Sequence, residues 1–164
     1  MYTDFYERIS APFRRSERAT AALSVLNKLL VWATAAAFLG LAAWLALHQD
    51  ARIIRYLAVC ALSFAGATAL RSALNRPRPY ELYPIEGLIK KDTKGKSFPS
   101  RHLFSASVIS CALLWVNVPA GAACFAATAI LAVIRVVGGV HFPRDVLAGI
   151  ALGIACGVMG FWII

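Results

Sequence analysis

Three short polar clusters hold the residues of this chain that are able to do chemistry. Ser97-Phe98-Pro99-Ser100-Arg101-His102 opens a run with no charged residue from Leu103 to Ile134. Arg71 to Pro79 closes an earlier apolar run and contributes Arg71, Arg76 and Arg78. Arg135 to Asp145 separates two later runs and contributes Arg135, His141 and Asp145. Guanidinium groups grip phosphate bidentately and keep their charge. Pro99 and Ser100 read as a helix start with Ser100 as N-cap, and helix N-termini present free N–H groups and a positive dipole end to an anion. Two histidines can divide the roles of nucleophile and general acid, and a carboxylate beside one of them can fix its tautomer. The chain has no cluster of Asp and Glu suited to magnesium or calcium. Arginine would therefore meet the phosphate charge, and neither a metal nor any other cofactor is expected.

The elements that must carry these clusters are membrane helices. The chain is 60% hydrophobic over 164 residues, with mean hydropathy +0.67, more apolar than a soluble domain of this size. Net charge is +9 with only 15% charged residues, the pattern of a membrane protein with basic flanks or of a site for anionic head groups. So apolar a chain is not expected to bind nucleic acid. Five spans are predicted, at 29–49, 51–74, 101–117, 119–137 and 143–164, in one membrane domain covering 1–164. A secretory signal fits poorly, because the polar leader is too long and the apolar run too extended.

Residues 1–20 read as an interfacial helix or a solvated tail, with Tyr2, Phe5, Tyr6 and Ile9 at helical spacing. Pro12 is expected to end any such helix. Residues 80–97 form the one long connection, a surface loop with room for a helical turn, and Lys90, Lys91, Lys94 and Lys96 read as solubilising that loop or as gathering anionic lipid, the solvated reading being favoured. Cys60, Cys111, Cys124 and Cys156 sit in apolar stretches with no C-x-x-C pair, so they read as small buried side chains. Ala148, Gly149, Gly153 and Gly157 allow close packing of the last helix. Short turns make neighbouring spans antiparallel, which gathers all three clusters at one membrane face.

In this arrangement the chain resembles the type 2 phosphatidic acid phosphatase family, related to bacterial acid phosphatases and vanadium haloperoxidases. The family's first motif is Lys, six residues, Arg-Pro, and here Arg71 precedes Arg78-Pro79 by six residues. Its second, Pro-Ser-Gly-His, appears as Pro99-Ser100-Arg101-His102. Its third, Ser-Arg, five residues, His, three residues, Asp, appears as Ile134-Arg135, His141 and Asp145, with Gly139 two before the histidine. The likeness covers about residues 50 to 164. Arg71 stands for the usual lysine, Arg101 for glycine and Ile134 for serine, and two spans rather than three precede the first motif.

The resemblance implies an all-α integral membrane bundle that hydrolyses the terminal phosphate or pyrophosphate of a lipid without metal. Phosphatidic acid, phosphatidylglycerol phosphate, undecaprenyl pyrophosphate and a polyprenyl phosphosugar are the substrates it suggests, and membrane lipids the surroundings. His141 would attack phosphorus to give a phosphohistidine, Asp145 would orient it, and His102 would protonate the leaving oxygen. Arg71, Arg78, Ser100, Arg101 and Arg135 would hold the phosphate. A lipid-to-acceptor phosphotransferase and a non-catalytic lipid-binding protein are the alternatives. A bacterial inner membrane is the expected location. Fifteen of the seventeen Lys and Arg fall on the active-site side of the predicted spans, leaving only Arg52 and Arg55 opposite. The positive-inside rule therefore puts the site on the cytoplasmic face.

Overall fold

The computed structural model describes residues 2–164 and is an all-helical membrane bundle. Its helices are α1 Tyr2–Arg14, α2 Glu17–Leu47, α3 Arg52–Leu74, the single turn α4 Pro79–Leu82, α5 Arg101–Val116, α6 Val118–Val137 and α7 Pro143–Val158, which α7 continues as a π-helical turn over Met159–Ile163. Helices α2, α3, α6 and α7 with its extension are long and apolar enough to cross a membrane. Helix α5 is shorter, 16 residues, and lies at the centre of the bundle. Nine of its residues are buried, so it is apolar all round because protein rather than lipid surrounds it. By contrast α2 turns Trp32, Leu39 and Leu47 outward at 74%, 65% and 82% exposure, as a helix facing hydrocarbon can.

Most boundaries follow the sequence, and two do not. Helix α2 begins at Glu17, twelve residues before the predicted span, with Ser16 accepting from Ala19 N at 3.4 Å as its N-cap. Glu17, Arg18 and Lys28 rule out hydrocarbon but not helix, so the uncharged run marked only part of the element. Helix α1 also runs through Pro12 to Arg14. Proline forfeits its own N–H bond and crowds the carbonyl four residues back, and Arg14 ties the last turn both to the preceding turn and to the long loop. Arg14 Nε donates to Ser10 Oγ at 3.2 Å, and Arg14 Nη2 donates to Glu86 O.

Helix α1 is not a solvated tail. Tyr6 is fully buried, donating to Glu86 O at 3.3 Å and accepting from Leu88 N at 3.2 Å. It also packs against Gly139, whose φ of +73° a side chain rarely adopts and where a Cβ would stand 2.8 Å from the Tyr6 hydroxyl. Tyr6 and Gly139 together set the turn that delivers His141.

The α5–α7 contact fixes the rest. Gly149, Gly153 and Gly157 lie one turn apart along α7. An added Cβ would come within 2.7 Å of Ser100 O, 2.6 Å of Phe104 O and 2.5 Å of Cys111 Cβ respectively. This close approach lets Ser100 N donate to Asp145 O at 2.9 Å, so the N-termini of α5 and α7 start side by side.

Candidate active site

The three sequence clusters meet at one end of the bundle. A cavity of about 290 Å³ there is lined by Arg71, Arg78, Lys91, Arg101, His102 and His141, with Thr93 to Lys96 at its rim. Arg71 reaches it from the last turn of α3, 8% exposed, and donates to the carbonyls of Lys96 and Pro99. Arg78 precedes α4, where its N–H donates to Glu81 Oε2 at 2.7 Å. Its side chain donates to Gly95 O at 3.1 Å and Val140 O at 3.3 Å. Glu81 Oε2 also accepts from Gly95 N at 2.8 Å, tying the long loop to the start of α4.

Ser100, Arg135 and Asp145 do not line this cavity; they are buried at 0%, 3% and 1% exposure. Arg135 O accepts from the backbone N–H of Val140 and His141 at 3.2 and 3.3 Å, so the end of α6 holds His141 in place. Ser100 occupies the N-cap position of α5 but its side chain caps nothing. Its Oγ and Arg135 Nε are buried without a hydrogen-bond partner among the described residues. Such groups are costly to leave unmade, and both belong to the set that the motifs assign to a phosphate.

The histidine–carboxylate pair differs from the direct contact expected. His141 Nδ1 and Asp145 Oδ2 are 3.8 Å apart, beyond a hydrogen bond. Ser97 fills the gap. Its hydroxyl donates to Asp145 Oδ2 at 2.5 Å and lies 3.3 Å from His141 Nδ1. With its proton committed to the carboxylate, Ser97 Oγ can only accept from Nδ1–H. That order of donors fixes the Nδ1–H tautomer and leaves the Nε2 lone pair free. Phe142 N also donates to Asp145 Oδ2 at 3.3 Å. Burial, with the charges of Arg78 and Arg135, pushes His141 down to about 4 despite Asp145, so its imidazole is neutral at neutral pH.

Two residues of the site carried no assigned role in the sequence. Ser97 stood inside the opening cluster, but nothing in its spacing separates a bridging serine from a turn serine. Lys91 looked solvated like its neighbours, and instead lines the cavity. Ile89, two residues earlier, donates to Gly138 O at 3.1 Å and packs among Leu23, Ile134 and Val137, which pins this part of the loop over the pocket. Lys90, Lys94 and Lys96 are exposed. No group of three or more His, Cys, Asp or Glu able to hold a metal occurs among the described residues.

A membrane helical bundle with an arginine-walled pocket and paired histidines at one end is the class of protein that fold and site define. The PAP2 superfamily matches residues 52–164, and the chain belongs to that superfamily. Among solved structures it is similar to LpxE of Aquifex aeolicus, with 22% identity over 96% of this chain and 92% of that one and a TM-score of 0.75. A phosphatidylglycerolphosphate phosphatase from Bacillus subtilis is also similar, with 20% identity, 98% and 94% coverage and a TM-score of 0.49. A search of curated proteins gives no match. The LpxE likeness takes in 96% of the chain, so it reaches beyond the matched region into the N-terminal helices.

Proposed function

We propose that the protein is a single-domain membrane lipid phosphatase that works through a phosphohistidine. The observation that carries this reading is the junction of two cavities. The cationic pocket shares Arg101 and His102 with an apolar groove of about 240 Å³ lined by Val31, Ala35, Phe38, Phe64, Ile109 and Leu131. A phosphate among the arginines and a hydrocarbon tail between α2, α3, α5 and α6 are what an amphiphile offers.

In this reading Arg71, Arg78 and Arg135, with Ser100, take the non-bridging oxygens, and His141 Nε2 attacks phosphorus in line with the leaving oxygen. The P–O bond to the lipid breaks as the P–N bond forms. Burial and the charges of Arg135, Lys91 and Arg101 push His102 well down; the phosphate dianion offsets those charges, so His102, at the mouth of the groove, enters the step protonated and gives its proton to the departing oxygen. His102 then takes a proton from water, which attacks the phosphohistidine and releases phosphate. The arginines are preorganised for the charge that gathers on the equatorial oxygens. Purified protein with a panel of lipid phosphates and a chelator tests the reading. Release of inorganic phosphate supports it. Loss of turnover in chelator with recovery on adding a divalent metal contradicts the metal-free route, and a phosphorylated acceptor in place of free phosphate would make the protein a phosphotransferase.

The distribution of Lys and Arg supports an active site on the cytoplasmic face of a bacterial inner membrane. A Lys94→Cys variant, in a background lacking the four native cysteines, checks this because Lys94 is exposed at the cavity rim. In intact cells the thiol is expected to resist a membrane-impermeant reagent until the cells are opened. Ready labelling in intact cells would put the site outside.

A further inference from the structure

We infer that Lys91 and Arg101 form a second anion subsite between the phosphoryl pocket and the apolar groove, so that the preferred substrate is a lipid diphosphate rather than a lipid monophosphate. The inference rests on the phosphatase reading of the same site and deepens it. Three observations carry it. First, neither residue is supplied by the shared motifs: Arg101 stands where the motif has glycine, and Lys91 lies in the connecting loop. Second, both face the cavity that Arg71 and Arg78 line, and neither has a hydrogen bond or ion pair among the described residues. Third, Arg101 and His102 are the residues common to the cationic pocket and the groove.

The order of these parts sets the chemistry. If the terminal phosphoryl group lies against His141 and the tail in the groove, the group joining them passes Arg101. In a monophosphate that group is a neutral methylene. In a diphosphate it is a second phosphate, which Arg101 and Lys91 can meet. The charges facing Lys91 are Arg71 from α3, Arg78 before α4, Arg101 from α5 and Arg135 from α6, with Lys94 and Lys96 on its own loop and the imidazoles of His102 and His141 pushed down by burial. None is a carboxylate, since Asp145 lies buried behind His141. Burial and these four guanidiniums push the Lys91 ammonium down to about 8. A cluster so short of negative charge favours the ligand with more of it.

The reaction balances without a further reactant. His141 Nε2 forms a bond to the terminal phosphorus, and the bond from that phosphorus to the bridging oxygen breaks. The electron pair leaves on the lipid monophosphate, where Lys91 and Arg101 meet the added charge. Water then cleaves the phosphohistidine to inorganic phosphate and neutral His141.

The test compares two non-hydrolysable ligands with the same tail, decyl methylenediphosphonate and decylphosphonate, titrated calorimetrically into the full-length protein in detergent. The wild type is expected to bind the diphosphonate more tightly. Lys91→Met and Arg101→Gly should each weaken diphosphonate binding by about tenfold to a hundredfold, the worth of one charge-assisted hydrogen bond, and weaken phosphonate binding several-fold less. The diphosphonate preference should also decline above pH 8 in the wild type, and Lys91→Arg should carry it to higher pH. Equal losses for both ligands, or no loss, would overturn the subsite. Hydrolysis of decyl diphosphate and decyl phosphate separates the two readings. Turnover of both with equal sensitivity to Lys91→Met removes the subsite and keeps the phosphatase. Lys91-dependent diphosphonate binding with no turnover of either removes the phosphatase and keeps the subsite.

Discussion

Both ends of the bundle carry arginines at the membrane edge, and the two ends use them differently. At the end away from the cavity, Arg52 donates to Asp50 from Nε at 2.9 and 3.1 Å and from Nη2 at 2.6 Å. That hydrogen bonding holds the Asp50 carboxyl below the usual carboxylate range. Arg52 and Arg55 stand 5.5 and 5.9 Å over the Trp115 ring, as cations do at an aromatic anchor. At the other end Arg71, Arg78 and Arg135 are buried, and among the described residues none has a carboxylate within ion-pair distance. Arg71 and Arg78 give their protons to carbonyls, and Arg135 Nε gives its proton to nothing. A buried charge without a counter-charge is destabilising by several kcal/mol. What separates the arginines of the two ends is thus the absence of a counter-charge at the cavity end, which is why we propose that a phosphate dianion supplies it.

The sharpest break of that comparison is to remove one arginine from each end. Arg78→Ala and Arg135→Ala should lower kcat/KM for a lipid phosphate by about a thousandfold, in the range seen when one preorganised transition-state donor is lost. Arg52→Ala should change it by no more than about threefold, because an exposed pair contributes little. Steady-state kinetics on the three variants decides the point, and equal losses at both ends would dissolve the distinction.

A smaller effect is expected from the bridge behind His141. Ser97→Ala removes the acceptor for Nδ1–H and leaves Asp145 3.8 Å away. We expect kcat to fall by about tenfold to a hundredfold with KM nearly unchanged, since the lost hydrogen bond serves tautomer and orientation rather than binding. Ser97→Thr, which keeps the hydroxyl, should recover most of the rate. A rise in KM alone would make Ser97 a packing residue.

A further effect is on stability. His141 sits near 4 in the folded protein and returns to about 6.5 when unfolded. Between these values the unfolded chain takes a proton that the folded chain refuses. Stability should therefore be steady above about pH 6.5 and fall as pH drops towards 4, by up to about 3 kcal/mol from this one group. Denaturation midpoints across pH 4.5 to 7.5 read the slope, and His141→Gln should reduce it, leaving the share that His102, also pushed well down, contributes. A slope unchanged by His141→Gln would contradict the neutral, buried imidazole.

The architecture was legible because hydrocarbon demands uncharged runs, and the charges between runs mark where helices end. The same logic assembled Arg71, Arg78, His102 and His141 at one face, since short turns force antiparallel neighbours. It failed where helix and hydrocarbon part company: Glu17 to Lys28 is helix without being apolar, and Pro12 lies inside a helix held by Arg14 and Ser10. It also missed Ser97 and Lys91. Ser97 bridges His141 and Asp145 across a gap that follows from the close α5–α7 approach, and Lys91 lines the cavity beside Ile89, which is tied to Gly138. Both depend on tertiary contacts that no local spacing encodes.

The central claim is that the buried arginines without a counter-charge receive a phosphoryl group which His141 takes covalently. The direct measurement is acid-labile, alkali-stable label on the protein after rapid quenching with a lipid phosphate carrying ³²P at the terminal phosphorus. The account predicts label on His141, formed at a rate no slower than turnover, present in Arg52→Ala and absent in His141→Ala. Turnover with no label, or label that persists in His141→Ala, would contradict it.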